Sequence, residues 1–236
     1  MGALSRVCTI RVSSSWGGSS LQMLLHICCA PDATVPVQEL RAEGWDVVGA
    51  SYGSNVQPLE EWERRMGALR VLMDRMGLSV DVMPYAPEEW TAHMEALGLM
   101  GEPEGGRRCA ECFRLQLEAA ARTAVSMGRT HLCTTLTISP HKDPALIGRI
   151  GAEVASARGL TWEDRVWRRR DGFLRSVRMS REMGLYRQSY CGCVPSMKKA
   201  PPRGGAGLAH PSPLSPAPLE GSGRVDVSTP RCPSRG

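Results

Sequence analysis

A short apolar run that ends in two cysteines decides the fold of this chain: Met23-Leu24-Leu25-His26-Ile27-Cys28-Cys29. Such a run is typical of a buried strand, which we place at residues 23–28. Pro31 follows, and its restriction on the preceding backbone favours a turn directly after the cysteines. A helix is then predicted from Thr34 to Glu43, ending near Gly44.

The same alternation of strand and helix continues along the chain. Further strands are predicted at residues 46–52, 78–83 and 131–136, and further helices at residues 59–76, 87–97, 112–127 and 143–158. Alternation of this kind is typical of an α/β fold with a largely parallel sheet. We therefore predict a single Rossmann-like domain over residues 22–197, with a basic helical segment at its carboxyl end.

Composition limits the class of protein. The 236 residues are 42% hydrophobic and 22% charged, which suits a globular core, and the net charge of +5 mildly favours an anionic partner. No run of 18 apolar residues is present, so no membrane span is expected. Residues 1–21 lack a clear period and residues 198–236 are rich in Pro and Gly, so we expect a flexible extension and a disordered tail. We expect a cytoplasmic protein.

Six of the nine cysteines form three close pairs: Cys28-Cys29, Cys109-x-x-Cys112 and Cys191-x-Cys193. Cysteines this close suit metal or redox chemistry in a reducing compartment better than a secreted disulfide framework. Because ligands of parallel sheets bind beyond the carboxyl ends of the strands, Cys28-Cys29 and residues 139–142 should meet at one edge. The cysteine spacing leaves iron and zinc both open.

Individual residues around the cysteines suggest roles. Cys109 and Cys112 open a predicted helix, whose N-terminal amides should lower the pKa values of both thiols. Asp32 is a candidate metal ligand or proton donor. The alternative is a purely structural role, in which its side chain caps the N-terminus of a helix. His141 and Lys142 are placed to meet a phosphate or a ribose. Cys133, inside a predicted strand, is assigned to the core.

A basic segment follows the last predicted strand. Between Glu163 and Lys199 stand ten Lys or Arg residues against four acids, with Trp162, Trp167, Phe173, Tyr186 and Tyr190 interleaved. Basic residues contact phosphates and aromatic rings stack on unpaired bases, so the segment indicates RNA binding. A solvated helical face with a few core aromatics is the alternative.

The order of motifs from residue 23 to residue 194 resembles the QueH-type epoxyqueuosine reductase family. The resemblance is carried by residues 25–31, 60–65, 102–109 with Cys112-Phe113-Arg114, 134–142, Asp171-Gly172-Phe173, 186–188 and Tyr190-Cys191-Gly192-Cys193. Two positions depart from the family's usual pattern. Asp32 stands where some members carry another cysteine, and Tyr52-Gly53-Ser54-Asn55 stands where Tyr-Asn-Pro-Asn is frequent.

The resemblance implies removal of the epoxide oxygen from epoxyqueuosine at the wobble position of tRNA, without cobalamin. It implies a 4Fe–4S cluster with an additional iron ion, an external electron donor and contacts to the anticodon arm. The implied metal or redox residues are Cys28, Cys29, Cys109, Cys112, Cys191 and Cys193, with Asp32 as a possible iron ligand. Cys191 and Cys193 could instead form a redox pair. The rival hypothesis is a zinc-stabilised RNA-binding module without catalysis.

Overall fold

A computed structural model describes residues 21–197 of the chain. Its five strands form one entirely parallel sheet in the order β3-β2-β1-β4-β5. They are β1 (Gln22–His26), β2 (Asp46–Ser51), β3 (Val80–Val82), β4 (His131–Thr134) and β5 (Thr161–Trp162). The predicted α/β class and the single Rossmann-like domain are confirmed, whereas β5 was not predicted because its two residues are too few to show a period.

Six α-helices connect and flank the strands. They are α1 (Ala30–Ala42), α2 (Leu59–Met76), α3 (Pro87–Ala96), α4 (Arg107–Ser126), α5 (Pro144–Ser156) and α6 (Gly172–Glu182). Local signals account for several of their ends. Gly77 ends α2 in the left-handed conformation with φ 56°, and the Asp143 carboxylate caps α5 by accepting from the Ala145 N–H at 2.9 Å.

Two predicted helix starts were wrong, and both errors matter for the cysteines. Helix α1 begins at Ala30 rather than Thr34, since Pro31 occupies its first turn, where the missing N–H costs nothing. Cys29 is therefore the N-cap residue of α1, and Asp32 lies inside its first turn instead of capping it. Helix α4 begins at Arg107 rather than Cys112, which brings Cys109 into its first turn.

The sheet is covered by helices on both faces. Met23 and Leu25 of β1 point into a core shared with α1 and α2, whereas Leu24 points into a second core shared with α4 and α5. Alternating residues of one strand thus fill two cores, as in a doubly wound fold. Cys133 of β4 is buried in the first core, as predicted.

Successive strands are added to one side of β1 and then to the other, and the candidate site lies at this change of side. Crossovers run from β1 to β2 and β3 on one side, and to β4 and β5 on the other. The loops after β1 and β4 therefore leave the sheet in opposite directions and open a crevice between them. Within residues 21–197, no helix combines the length and hydropathy of a membrane span. The predicted extension (1–21) falls, except for Leu21, outside the described residues, as does the predicted tail (198–236).

Candidate active site

A pocket of about 590 Å³ occupies this crevice at the carboxyl ends of β1 and β4. Three of the seven predicted site residues line it directly, namely Asp32, Cys109 and Cys191. Lys142 and Gln188 line it as well. The pocket is thus formed by α1, the start of α4, the loop before α5 and the segment after α6, and the fold brings separate sequence motifs to one place.

The β1 thiol pair, Cys28 and Cys29, lies beside this pocket in polar surroundings. The Cys29 sulfur lies 2.9 Å from a carboxylate oxygen of Asp32, and the Gln188 amide donates to the same sulfur at 2.7 Å. The Lys142 ammonium stands 3.7 Å from the Cys28 sulfur. The Cys28 N–H donates to the Thr135 hydroxyl at 3.1 Å, which anchors the turn to the loop after β4.

These neighbours give the two adjacent thiols opposite protonation. A hydrogen bond from Cys29, helped by the Lys142 ammonium and opposed by burial, lowers the pKa of Cys28 to about 6. That hydrogen bond to Cys28, burial and the Asp32 carboxylate raise the pKa of Cys29 well above its usual range. Whether Cys29 donates to Cys28 or to Asp32, the single proton stays on Cys29 and Cys28 is the thiolate. Lys142, predicted to meet a phosphate or a ribose, lines the pocket and has the Cys28 sulfur as a partner, and its contact to a ligand stays a prediction.

The α4 thiol pair, Cys109 and Cys112, lies in apolar surroundings, and of the two only Cys109 lines the pocket. Cys112 packs with Trp90, and Cys109 packs within the second core. The Gly105 N–H donates to the Cys109 sulfur at 3.2 Å, and Gln116 donates to the Cys112 sulfur at 3.1 Å. Burial nevertheless raises the pKa values of both thiols, and that of Cys112 well above its usual range. The predicted lowering of these pKa values was wrong because desolvation outweighs the helix N-terminus.

The third pair lies on the thiol loop, residues 186–193, which closes over the pocket. Cys191 is half-buried, and burial raises the pKa of its thiol to about 11. Cys193 is buried and packs with Cys112 and Trp90. Gly192 between them has φ 148°, a conformation that side chains disfavour, and its neighbours leave little space for a Cβ. Glycine is therefore required at the turn that carries both cysteines.

Electrostatic contacts link the three pairs into one group. Cys191 interacts with Cys28, Cys109 and Cys193, and it also interacts with Cys112. Six thiols around one pocket have the donor chemistry of an iron–sulfur or zinc site. Among residues 21–197, however, no three His, Cys, Asp or Glu side chains stand in positions that could hold one metal ion. Cysteine sulfurs and a carboxylate are donors that bind iron, as the resemblance implies. The arrangement of these donors around a metal stays a prediction.

The basic segment is only partly available to a ligand. Arg165 pairs with Glu43, and Arg175 pairs with Glu39, so these two arginines fasten the fold together. Arg187 lines the pocket, and four further arginines are exposed and form no ion pair within the described chain: Arg169, Arg170, Arg178 and Arg181.

Of the five interleaved aromatic residues, too, only some are available to a ligand. Trp167 is buried, and its indole N–H donates to the Thr134 carbonyl at 2.8 Å. Trp162 packs against α5 at Gly151. Only Phe173 and Tyr190 line the pocket, so the predicted stacking surface is reduced to these two rings.

Two contributors were missed in the sequence. Gln188 contacts Cys29, and its signal in the sequence is its place in the stretch 186–188 that carries the family resemblance. Glu61 and Arg65 form a buried ion pair on α2, with a nitrogen–oxygen distance of 2.9 Å. A signal existed for this pair, because a Glu and an Arg four residues apart share the helix face of Met66 and Leu69, both buried.

Comparison with known proteins gives one consistent result. A family model described as Epoxyqueuosine reductase QueH matches residues 23–199. The chain is 34% identical over 178 residues to the Thermotoga maritima protein named Epoxyqueuosine reductase QueH, covering 74% of this chain and 90% of that one. It is 32% identical over 196 residues to the Streptococcus pyogenes protein of the same name, covering 80% and 76%. For the Staphylococcus epidermidis protein the identity is 30% over 192 residues, covering 78% and 80%.

Proposed function

The chain belongs to the epoxyqueuosine reductase QueH family, and on that premise we propose that it reduces epoxyqueuosine to queuosine at the wobble position of tRNA. The observation that carries this proposal is the placement of the cysteine pairs at the topological switch point, where Cys109 and Cys191 line the pocket and the β1 pair contacts Asp32 and Lys142, which line it too. The reaction consumes two electrons and two protons. Both carbon–oxygen bonds of the epoxide break, the oxygen leaves as water and a carbon–carbon double bond forms.

Six thiols and one carboxylate are the proposed holders of a 4Fe–4S cluster and an additional iron ion. They are Cys28, Cys29, Cys109, Cys112, Cys191, Cys193 and Asp32. When bound, this group would supply the electrons, replenished by an external donor, and a Lewis acid for the epoxide oxygen. No cobalamin is needed in this scheme.

The chain's own residues bind the substrate and manage the protons. The Asp32 carboxylate lines the pocket, where it can pass a proton from water to the departing oxygen. The Lys142 ammonium compensates negative charge on Cys28. Phe173 and Tyr190 offer rings for the flipped-out base, and Arg187 with the exposed arginines of α6 offers contacts to the anticodon phosphates.

The test begins with protein purified without oxygen. We expect about five iron atoms per chain and a visible absorption band that bleaches on reduction. Incubation with tRNA that contains epoxyqueuosine and a strong reductant should then yield queuosine, detected by mass spectrometry of the released nucleoside. Zinc in place of iron, together with unaltered nucleoside, would contradict the proposal and favour the RNA-binding module.

Substitution of single cysteines tests the assignment of the site. We expect Cys28→Ala and Cys109→Ala each to lower deoxygenation at least about 100-fold and to lower the iron content. Cys133→Ala is the control, because it makes the same substitution at a cysteine that is buried in the core and does not line the pocket. Full activity and full iron content in both pocket variants would show that these thiols are not ligands.

A further inference from the structure

A buried ion pair on α2 lies directly behind the thiol loop. The side chains of Glu61 and Arg65 are only 2% and 3% exposed, and the Arg65 Nε donates to a Glu61 carboxylate oxygen at 2.9 Å. Neither side chain lines the pocket. Ion pairs this deeply buried contribute little net stability compared with apolar residues of similar volume, so this one calls for another explanation.

Both members of the pair hold the thiol loop. Arg65 donates to the Cys191 carbonyl at 2.9 Å and to the Tyr190 carbonyl at 3.0 Å, and its guanidinium lies 5.3 Å from the centre of the Tyr190 ring. The second carboxylate oxygen of Glu61 accepts from the Tyr186 hydroxyl at 2.8 Å. The pair therefore fixes the loop at its beginning and directly at Cys191.

The same guanidinium also interacts electrostatically with the β1 thiol pair. Burial alone would lower the pKa of Arg65, but Cys29, Glu61 and Cys28 outweigh burial and raise it. Arg65 also limits the space around Gly192, since an added Cβ would lie 3.3 Å from a guanidinium nitrogen. One planar group thus makes directed contacts with the thiol loop.

We propose that Glu61 and Arg65 are a positioning pair, which sets the place of Cys191 at the pocket so that the thiols of the loop and of β1 act on one substrate. The kinetic part of this inference rests on the proposed function. Arg65 acts through the loop backbone and is not a catalytic residue. A lysine keeps the charge but cannot make three directed contacts at once, because it lacks the planar fork of donors.

The first arm of the test uses the metal-free full-length chain and needs no catalysis. We expect Arg65→Lys to raise the alkylation rate of Cys191 by iodoacetamide about tenfold, measured by mass spectrometry of the modified peptide, because the loop loses its anchor. Arg70→Lys is the matched control on the same helix, since Arg70 is exposed. Equal Cys191 rates in wild type and Arg65→Lys would overturn the proposal.

The second arm separates positioning from binding. We expect Arg65→Lys to lower kcat at least about tenfold and to change KM for tRNA much less, because the pair reaches the pocket only through the loop that carries Tyr190 and Cys191. Tyr186→Phe removes only the hydroxyl contact to Glu61 and should lower kcat less, with the fold intact. An unchanged kcat in both variants would overturn the proposal. If the wild-type chain does not deoxygenate epoxyqueuosine in tRNA, the proposed function is wrong. The alkylation rate of Cys191 then still tests whether Glu61 and Arg65 position the thiol loop.

Discussion

The β1 thiol pair lies beside the pocket that Cys109 of the α4 thiol pair lines, and the two pairs differ in almost every neighbour. Cys28 and Cys29 are surrounded by a lysine, a carboxylate and an amide. Cys109 and Cys112 are surrounded mainly by apolar side chains. The result is a lowered pKa for Cys28 and raised pKa values for both α4 thiols.

This difference teaches that the sequence motif does not set the chemistry of a thiol. Cys109 and Cys112 have the spacing and the helix N-terminus that favour thiolates, yet desolvation is the larger effect. Cys28 has no such motif, and a cation from a distant part of the chain reaches it. In the metal-free chain, the β1 pair therefore includes a thiolate, whereas both α4 cysteines are thiols.

The largest effect should come from removing the cation. We expect Lys142→Met to raise the pKa of Cys28 by one unit or more, which lowers its alkylation rate at pH 6 about fivefold or more. The measurement is iodoacetamide labelling of the metal-free chain followed by peptide mass spectrometry over a pH series. Wild type should show a midpoint near pH 6, with Cys28 reactive above it and protected below it.

The matched control for this variant is Lys142→Arg, which retains a cation and should keep the midpoint near the wild-type value. The alkylation of Cys112 should not respond to either variant, because Lys142 is not among the groups that shift its pKa. An unchanged Cys28 midpoint in Lys142→Met would show that the neighbouring Cys29 alone sets the charge on Cys28. The comparison between the β1 and α4 thiol pairs would then lose its electrostatic basis.

The periodic features of the fold could be predicted from the sequence, because they are local. The apolar run before Cys28 and the helical spacing over residues 59–76 both appear where predicted, and Gly77 ends that helix. The meeting of Cys28-Cys29 with residues 139–142 at one edge also follows from a general rule of parallel sheets.

What the sequence could not predict depends on tertiary contacts. The start of α4 five residues before Cys112 places Cys109 against the second core, and this burial reverses the expected pKa. Arg165 and Arg175 looked like RNA contacts within a basic segment, but their carboxylate partners lie more than 100 residues away. Neither outcome has a signature within a short window of sequence.

A second prediction compares how much one cysteine of each thiol pair contributes to the stability of the metal-free chain. Cys29→Ala and Cys112→Ala remove the same atoms from buried sites, so their cavity costs should be similar. Each change leaves one glutamine amide without its sulfur partner, Gln188 or Gln116, but Cys29→Ala also leaves the buried Asp32 carboxylate without one, so we expect its free energy of unfolding to fall about 1 kcal/mol further. Urea unfolding at pH 7 measures the difference, and equal losses would contradict it.

The smallest effect should come from two glutamines that each donate to one thiol, Gln188 to Cys29 and Gln116 to Cys112. We expect Gln188→Leu to weaken stabilisation of charge on the β1 pair and lower Cys28 alkylation at pH 6 about threefold. Gln116→Leu should leave both Cys28 and Cys112 labelling at pH 6 unchanged, since Cys112 is already fully protonated there. Because the chemical change is identical, the two variants differ only in the thiol pair that loses an amide donor. Equal responses would mean that an amide donor matters for its geometry alone, whatever the charge on the sulfur.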